Sequence, residues 1–140
     1  MTADKMRRED ISTPALILNL DRFEANLDRM AAHCAANNLI LRPHAKTHKC
    51  SAIAKAQIKR GAQGICTAKL GEAEALAAEG ITDILVTSPQ VTDHAFARAI
   101  ALAKTIDHLC LVVDHPDCVA RLNRTCAAAD FTLSVMVDLN

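Results

Sequence analysis

Apolar residues along this chain fall into two alternating patterns. Runs such as "DILVTS" (residues 83–88) and "LCLVVD" (residues 109–114) are almost continuously apolar, as strands covered on both faces of a parallel sheet are. Between such runs the apolar positions recur three or four residues apart. Phe23, Leu27, Met30 and Cys34 follow that spacing after Asp21, which is placed to cap a helix with Glu24 three residues on. Val119, Leu122 and Cys126 follow it after Pro116. The pattern therefore predicts a short strand in "TPALILNL" and a helix in "LDRFEANLDRMAAHCAANN". Next come a strand over 39–46, a helix over 51–60 stopped by Gly61, a strand over 64–69 and a helix over 71–79 stopped by Gly80. A strand over 83–88, a helix over 92–105, a strand over 109–114, the helix opened by Pro116 and a last strand in "FTLSVMVDLN" complete the series.

Strands alternating with helices mean βα units joined by right-handed crossovers. Two α/β architectures accept about five such units: a complete doubly wound domain of the flavodoxin type, and the N-terminal part of an eight-stranded (β/α)8 TIM barrel. A length of 140 residues suits the first. Against it, no Gly-rich turn follows any strand, the 39–46 segment carries charges that a central strand tolerates poorly, and "VMVDLN" ends on a strand with no helix to cover it. The expected organisation is a polar leader over 1–12 and one domain over 13–140 that stops short of a closed barrel. Its outer strands would then expose unpaired backbone, so the chain alone is expected to self-associate.

Composition narrows the class. Hydrophobic residues make up 51% of the chain and aromatic residues 2%, so the core must be built from Ala, Leu, Ile and Val. Lysine plus arginine (16) balances aspartate plus glutamate (16), which leaves no global field to recruit nucleic acid or an anionic membrane. The six cysteines form no C-x-x-C pair, and no apolar stretch near the start resembles a signal peptide. A cytoplasmic protein without structural zinc is expected, and no apolar run approaches a membrane span.

The exception to this even distribution is "LRPHAKTHKC", residues 41–50. On an extended strand Arg42, His44, Lys46 and His48 would share one face, with Pro43, Ala45 and Thr47 on the other. Turned into a barrel, that face makes a basic wall at the C-terminal end of a strand, where βα barrels carry their chemistry. A lysine crowded by other cations and desolvated is driven towards the neutral amine, a nucleophile for aldehydes. Zinc held by His44 and His48 lacks a third ligand nearby. The plain alternative is a solvated strand end.

"TPALILNLDRFEANLDRM", "LRPHAKTHKC", "GICTAKLGEAEALAAEG" and "DILVTSPQV" together resemble the N-terminal barrel of pyridoxal-phosphate enzymes of the alanine-racemase fold. The branch is that of D-threonine aldolase and D-serine dehydratase, and the similarity runs from about Thr13 to Asn140. R-P-H-x-K-T-H-K is its specific signature. The resemblance implies that Lys46 forms a Schiff base with pyridoxal 5'-phosphate, that His44, His48 and Thr87 help to bind the cofactor, and that Lys49 is a neighbouring charge. It implies a lyase acting on β-hydroxy-D-amino acids, in the manner of D-threonine aldolase, giving glycine and an aldehyde. D-serine dehydratase, a non-catalytic pyridoxal-phosphate-binding protein and a racemase are the alternatives. A divalent metal is expected in the full-length enzyme, a homodimer, on ligands supplied from outside this chain; the fragment itself is expected to be inactive. Arg42 is expected to pair with a carboxylate, Thr67 and Lys69 to line the pocket, and Glu72 and Glu74 to serve the dipole of their helix. Asp138 is left between ion pair and pocket.

Overall fold

The computed structural model describes residues 7–139. Four parallel strands, β1 (Ile65–Thr67), β2 (Asp83–Val86), β3 (His108–Val113) and β4 (Ser134–Val137), lie side by side in chain order. Helices α1 (Leu20–Ala36), α2 (Ser51–Lys59), α3 (Leu70–Ala78), α4 (Asp93–Ala103) and α5 (Pro116–Ala128) precede or connect them. A sheet whose strands neighbour one another in strict succession has no point at which the order reverses. That is the winding of a barrel wall rather than of a doubly wound sheet.

The register separates two faces. Ile65, Ile84 and Leu109 stand in line, as do Thr67, Val86 and Leu111. The apolar members of these rows form one cluster with Ala54 of α2, Ala73 of α3, Phe96 and Ala99 of α4 and Leu122 of α5. Helices α2 to α5 thus cover one face, whereas the stripe expected on α1 is buried only at Cys34, with Met30 exposed, and that on α5 is buried at Leu122 and Cys126, with Val119 exposed. Cys66, Leu85 and Cys110 form the intervening row and point to the opposite face, the inside of the barrel wall.

Helix positions follow the sequence closely, and α2 and α3 give way to Gly61 and Gly80 at positive φ (98° and 85°). The N-terminal cap of α1 differs from expectation. Asn19, not Asp21, accepts the Arg22 N–H at 2.9 Å, because the cap lies two residues earlier and leaves Asp21 inside the first turn.

Two expected strands do not form as such. The expected strand over 13–20 does not form: residues 13–19 carry no strand, Leu20 opens α1, and Leu16, Ile17 and Leu18 are exposed. Residues 39–46 make only one parallel bridge, His44 to Cys66. Gln63 N–H donates to the Leu41 carbonyl at 2.9 Å and Cys66 N–H to the Pro43 carbonyl at 2.7 Å. Pro43 has no N–H to return, and the chain leaves the sheet plane in a 3-10 turn, Ala45–Thr47. Both segments satisfy the sequence pattern for a strand, but a strand also needs a neighbour to pair with along its length, and hydrophobic pattern does not report neighbours. Among the described residues no helix is long and apolar enough to cross a membrane.

Candidate active site

The charged segment runs up the inner face beside β1, and its side chains sort by height. Lowest is Arg42, whose guanidinium forks onto Asp83 with Nη1–Oδ1 at 2.8 Å and Nη2–Oδ2 at 3.1 Å. The same carboxylate meets His108 Nδ1 at 3.0 Å. Burial works against the Asp83 charge, but hydrogen bonds from Arg42 and His108 outweigh it and hold the carboxyl below its ordinary range. Gly64 lies under this bridge. A Cβ there would collide with Arg42 Nη1 and the Asp83 carbonyl and would stand 2.8 Å from Asp83 Cγ, so only glycine lets the guanidinium cross β1's approach. The expected carboxylate partner of Arg42 is therefore Asp83.

One row higher are His44, Cys66, Leu85 and Cys110. Burial raises both thiols, and all six cysteines are free. His44 Nε2 lies 3.1 Å from Thr87 Oγ1, and the Thr87 hydroxyl lies 3.1 Å from the Thr67 carbonyl. His44 Nδ1 accepts the backbone N–H of Lys46 at 3.1 Å and so caps the turn that carries the lysine. Burial and the charge of Lys46 lower the imidazole pKa, partly offset by Glu72.

The alternation expected to put Arg42, His44, Lys46 and His48 on one face holds only as far as His44, because the 3-10 turn replaces the strand there. Lys46 stands exposed at the C-terminal edge of the sheet. His48 turns towards α2 instead: its Nδ1 accepts Cys50 N–H at 3.1 Å, while its Nε2 and Gln57 Oε1 are buried with no partner within hydrogen-bond distance. Burial lowers its pKa as well. The two histidines diverge, which removes the paired-ligand reading. Among the described residues no group of three or more His, Cys, Asp or Glu side chains is arranged to hold a metal ion.

The second lysine is occupied. Lys49, at φ 47°, places its Nζ 3.3 Å from Glu72 Oε1. Glu72 Oε2 accepts the Ala68 N–H at 2.9 Å. Burial opposes the Glu72 charge, and the bonds from Ala68 and Lys49 keep its pKa low despite that. Glu72 thus does more than serve a helix dipole: it pins the loop between β1 and α3 and draws Lys49 away. Glu74 instead pairs with Arg98 of the next helix. Lys46 has no ion-pair partner among the described residues. Thr67, expected to line the pocket, faces the helices and is wholly buried with its hydroxyl unpaired; only its carbonyl reaches the site. Lys69 occupies the N-cap position of α3 without a side-chain capping bond and borders a cleft of about 620 Å³ with Lys49, Glu72, Gln90 and Arg98, whose lining includes none of His44, Lys46 and Thr87. Asp138 donates its N–H to the Val113 carbonyl at 2.9 Å and extends the β3–β4 pairing.

Sequence reasoning singled out Lys46, His44 and Thr87 as candidates but did not single out Asp83, Gly64 or the bond between His44 and the Lys46 backbone. An aspartate at the start of an apolar strand, two strands along from an arginine, was the available signal for the first.

The alanine racemase N-terminal domain model matches residues 18–140. A D-threonine aldolase from Arthrobacter sp. is 35% identical over 130 residues, covering 93% of this chain and 34% of the relative. A D-threo-3-hydroxyaspartate dehydratase from Delftia sp. is 39% identical over 104 residues, covering 74% of this chain and 27% of the relative. The crystal structure of D-threonine aldolase from Filomicrobium marinum superposes with a TM-score of 0.91 at 40% identity, covering 95% of this chain and 36% of that one. The chain spans about a third of the length of these proteins. With its barrel-type strand order, its basic segment beside β1 and these matches, the chain belongs to the alanine racemase N-terminal domain family, in the branch that holds D-threonine aldolases and D-3-hydroxyaspartate dehydratases.

Proposed function

We propose that this chain carries the cofactor lysine of a pyridoxal-phosphate lyase acting on β-hydroxy-D-amino acids, with D-threonine aldolase-like retro-aldol cleavage to glycine and an aldehyde. One observation carries the reading. Lys46 stands on a braced turn at the C-terminal edge of a barrel wall, its amine without an ion pair among the described residues, while Lys49 three residues on is held by Glu72. The residues present fit the aldehyde end of pyridoxal phosphate: an exposed primary amine, beside an imidazole and a hydroxyl on the inner face.

When bound, pyridoxal phosphate supplies an electron sink for the bond broken at or next to the substrate α-carbon. Lys46 binds it through the amine and is the catalytic residue. His44 and Thr87 form the wall beneath that amine. His48 supports the turn from the α2 side, where its ring edges are engaged or buried. Arg42 and Asp83 fix the base of the segment and touch neither substrate nor cofactor. The divalent metal expected for this branch is proposed to rest on ligands outside this chain, since among the described residues no group of three or more His, Cys, Asp or Glu side chains is arranged to hold one.

The domain is taken as residues 13–140 after a leader over 1–12, of which residues 1–6 lie outside the described region. The full-length protein is proposed to be a cytoplasmic homodimer. A second reading, dehydration of a β-hydroxy-D-amino acid, is favoured by the 39% identity to a dehydratase.

The test is an assay of the full-length protein with pyridoxal phosphate and D-threonine or D-serine. Aldehyde with glycine establishes the aldolase, and ammonia with a keto acid the dehydratase. Cofactor binding without either product leaves a binding protein and overturns the lyase reading.

A further inference from the structure

The hydrogen positions around His44 follow from one group whose proton is never in doubt. The backbone N–H of Lys46 always carries its hydrogen, and it points at His44 Nδ1 at 3.1 Å. Nδ1 must therefore offer a lone pair, so in the neutral ring the proton sits on Nε2. Nε2–H then donates to Thr87 Oγ1 at 3.1 Å. The Thr87 hydroxyl, its oxygen now accepting, sends its own hydrogen to the Thr67 carbonyl at 3.1 Å. Thr67 is wholly buried in β1, and its carbonyl also accepts the Thr87 N–H at 2.8 Å. Three bonds thus run in a single direction, from the turn into the rigid sheet. An imidazolium has no lone pair for the Lys46 N–H and would break the first of them.

We infer that His44 is a positioning residue, held as its Nε2–H tautomer, that fastens the backbone of Lys46 to the β1–β2 edge through Thr87 and so sets where the lysine amine meets a carbonyl ligand. This rests on Lys46 being the cofactor lysine and goes beyond it by assigning His44 a backbone role. The need is physical. Lys46 sits in a single 3-10 turn outside the sheet ladder, and a reactive amine placed an ångström astray loses much of its effective concentration.

Two substitutions divide the ring's functions. In His44→Asn the side-chain carbonyl can still cap the Lys46 N–H but does not reach Thr87. In His44→Gln the amide can reach Thr87 but places no acceptor at the Nδ1 position. The full chain would be incubated with pyridoxal phosphate, reduced with borohydride and mapped by mass spectrometry. Without cofactor, nitrogen-15 NMR would report the His44 tautomer and hydrogen exchange the Lys46 amide. The expected result is a neutral Nε2–H ring in the unsubstituted protein and, in His44→Gln, a Lys46 amide that exchanges roughly tenfold faster, the worth of one ordinary hydrogen bond. Trapping at Lys46 should slow in parallel, with His44→Asn lying nearer the unsubstituted protein on both measures. A cationic or Nδ1–H ring would overturn the inference without any variant having to fold. So would variants that both trap cofactor at the unsubstituted rate. Label on a lysine other than Lys46 would overturn the proposed function instead, and the NMR result would stand apart from it.

Discussion

The two ends of the inner face are built from similar residues and do different work. At the N-terminal end Arg42, Asp83 and His108 satisfy one another across Gly64, and both partners of the ion pair are largely buried, with side chains 18% and 22% exposed. At the C-terminal end His44 and Thr87 are satisfied, while Lys46 projects beyond them with no ion-pair partner among the described residues. A positive side chain beside β1 is structural where a carboxylate meets it and available for chemistry where none does. Lys49 makes the same point from the other side of the turn, since Glu72 engages it.

That contrast gives the first and largest expectation. Lys46→Ala should remove borohydride-trapped cofactor from its peptide and lower kcat/KM by on the order of 10³ or more. The melting temperature should move by less than about 2 °C, since an exposed side chain without partners contributes little to stability. A large loss of stability in this variant would erase the distinction between the two ends.

Disruption at the other end should show the reverse profile. Gly64→Ala forces a methyl group into Arg42 and the Asp83 backbone and should destabilise by about 3 kcal/mol. Asp83→Ala, which leaves a partly buried guanidinium without its carboxylate, should cost about 2 kcal/mol after allowing for solvent screening. Denaturant melts measure both. Trapping at Lys46, assayed well below the melting transition, should persist, and its loss in Asp83→Ala would mean that the lower clamp also shapes the reactive end.

Thr87→Val lies between the two. It removes the hydroxyl between His44 and β1 and should cost about 1 kcal/mol of stability, with trapping at Lys46 slowed several-fold and restored by Thr87→Ser.

The smallest effect is that of pH. His44 and His48 have lowered pKa values in the folded chain, so below the ordinary imidazole value of 6.5 the unfolded chain binds more protons than the folded one. Stability from these rings is present above that value and is lost as pH falls through the folded pKa. Asp83 and Glu72, also lowered, add a further loss of the same sign, beginning near the ordinary carboxyl values of 3.8 and 4.5. Urea midpoints should therefore fall in two stages between about pH 7 and pH 3, and a midpoint that rose on acidification would contradict both shifts.

The sequence by itself determined helices α2 to α5 and strands β1 to β3, because each buries a face whose pattern is written in consecutive residues. Phe96 and Leu122 are apolar at helical spacing, and Ile84 and Leu111 lie within apolar runs. It also marked Lys46, through a signature dense enough to stand out from an even charge distribution. What it left open was anything that depends on a partner distant in the chain. Residues 13–20 and 39–46 have the composition of strands but do not take their place in the ladder, for pairing is decided by neighbours that local pattern does not encode. The period-two rule put His48 beside His44, and one 3-10 turn after Pro43 sent it towards α2. Only the tertiary structure brought Asp83 to Arg42 over a glycine and ran the His44 ring between the Lys46 backbone and Thr87. Those contacts join residues 41 and 43 positions apart, and the directional geometry of hydrogen bonds selects them after the hydrophobic pattern has set the elements in place.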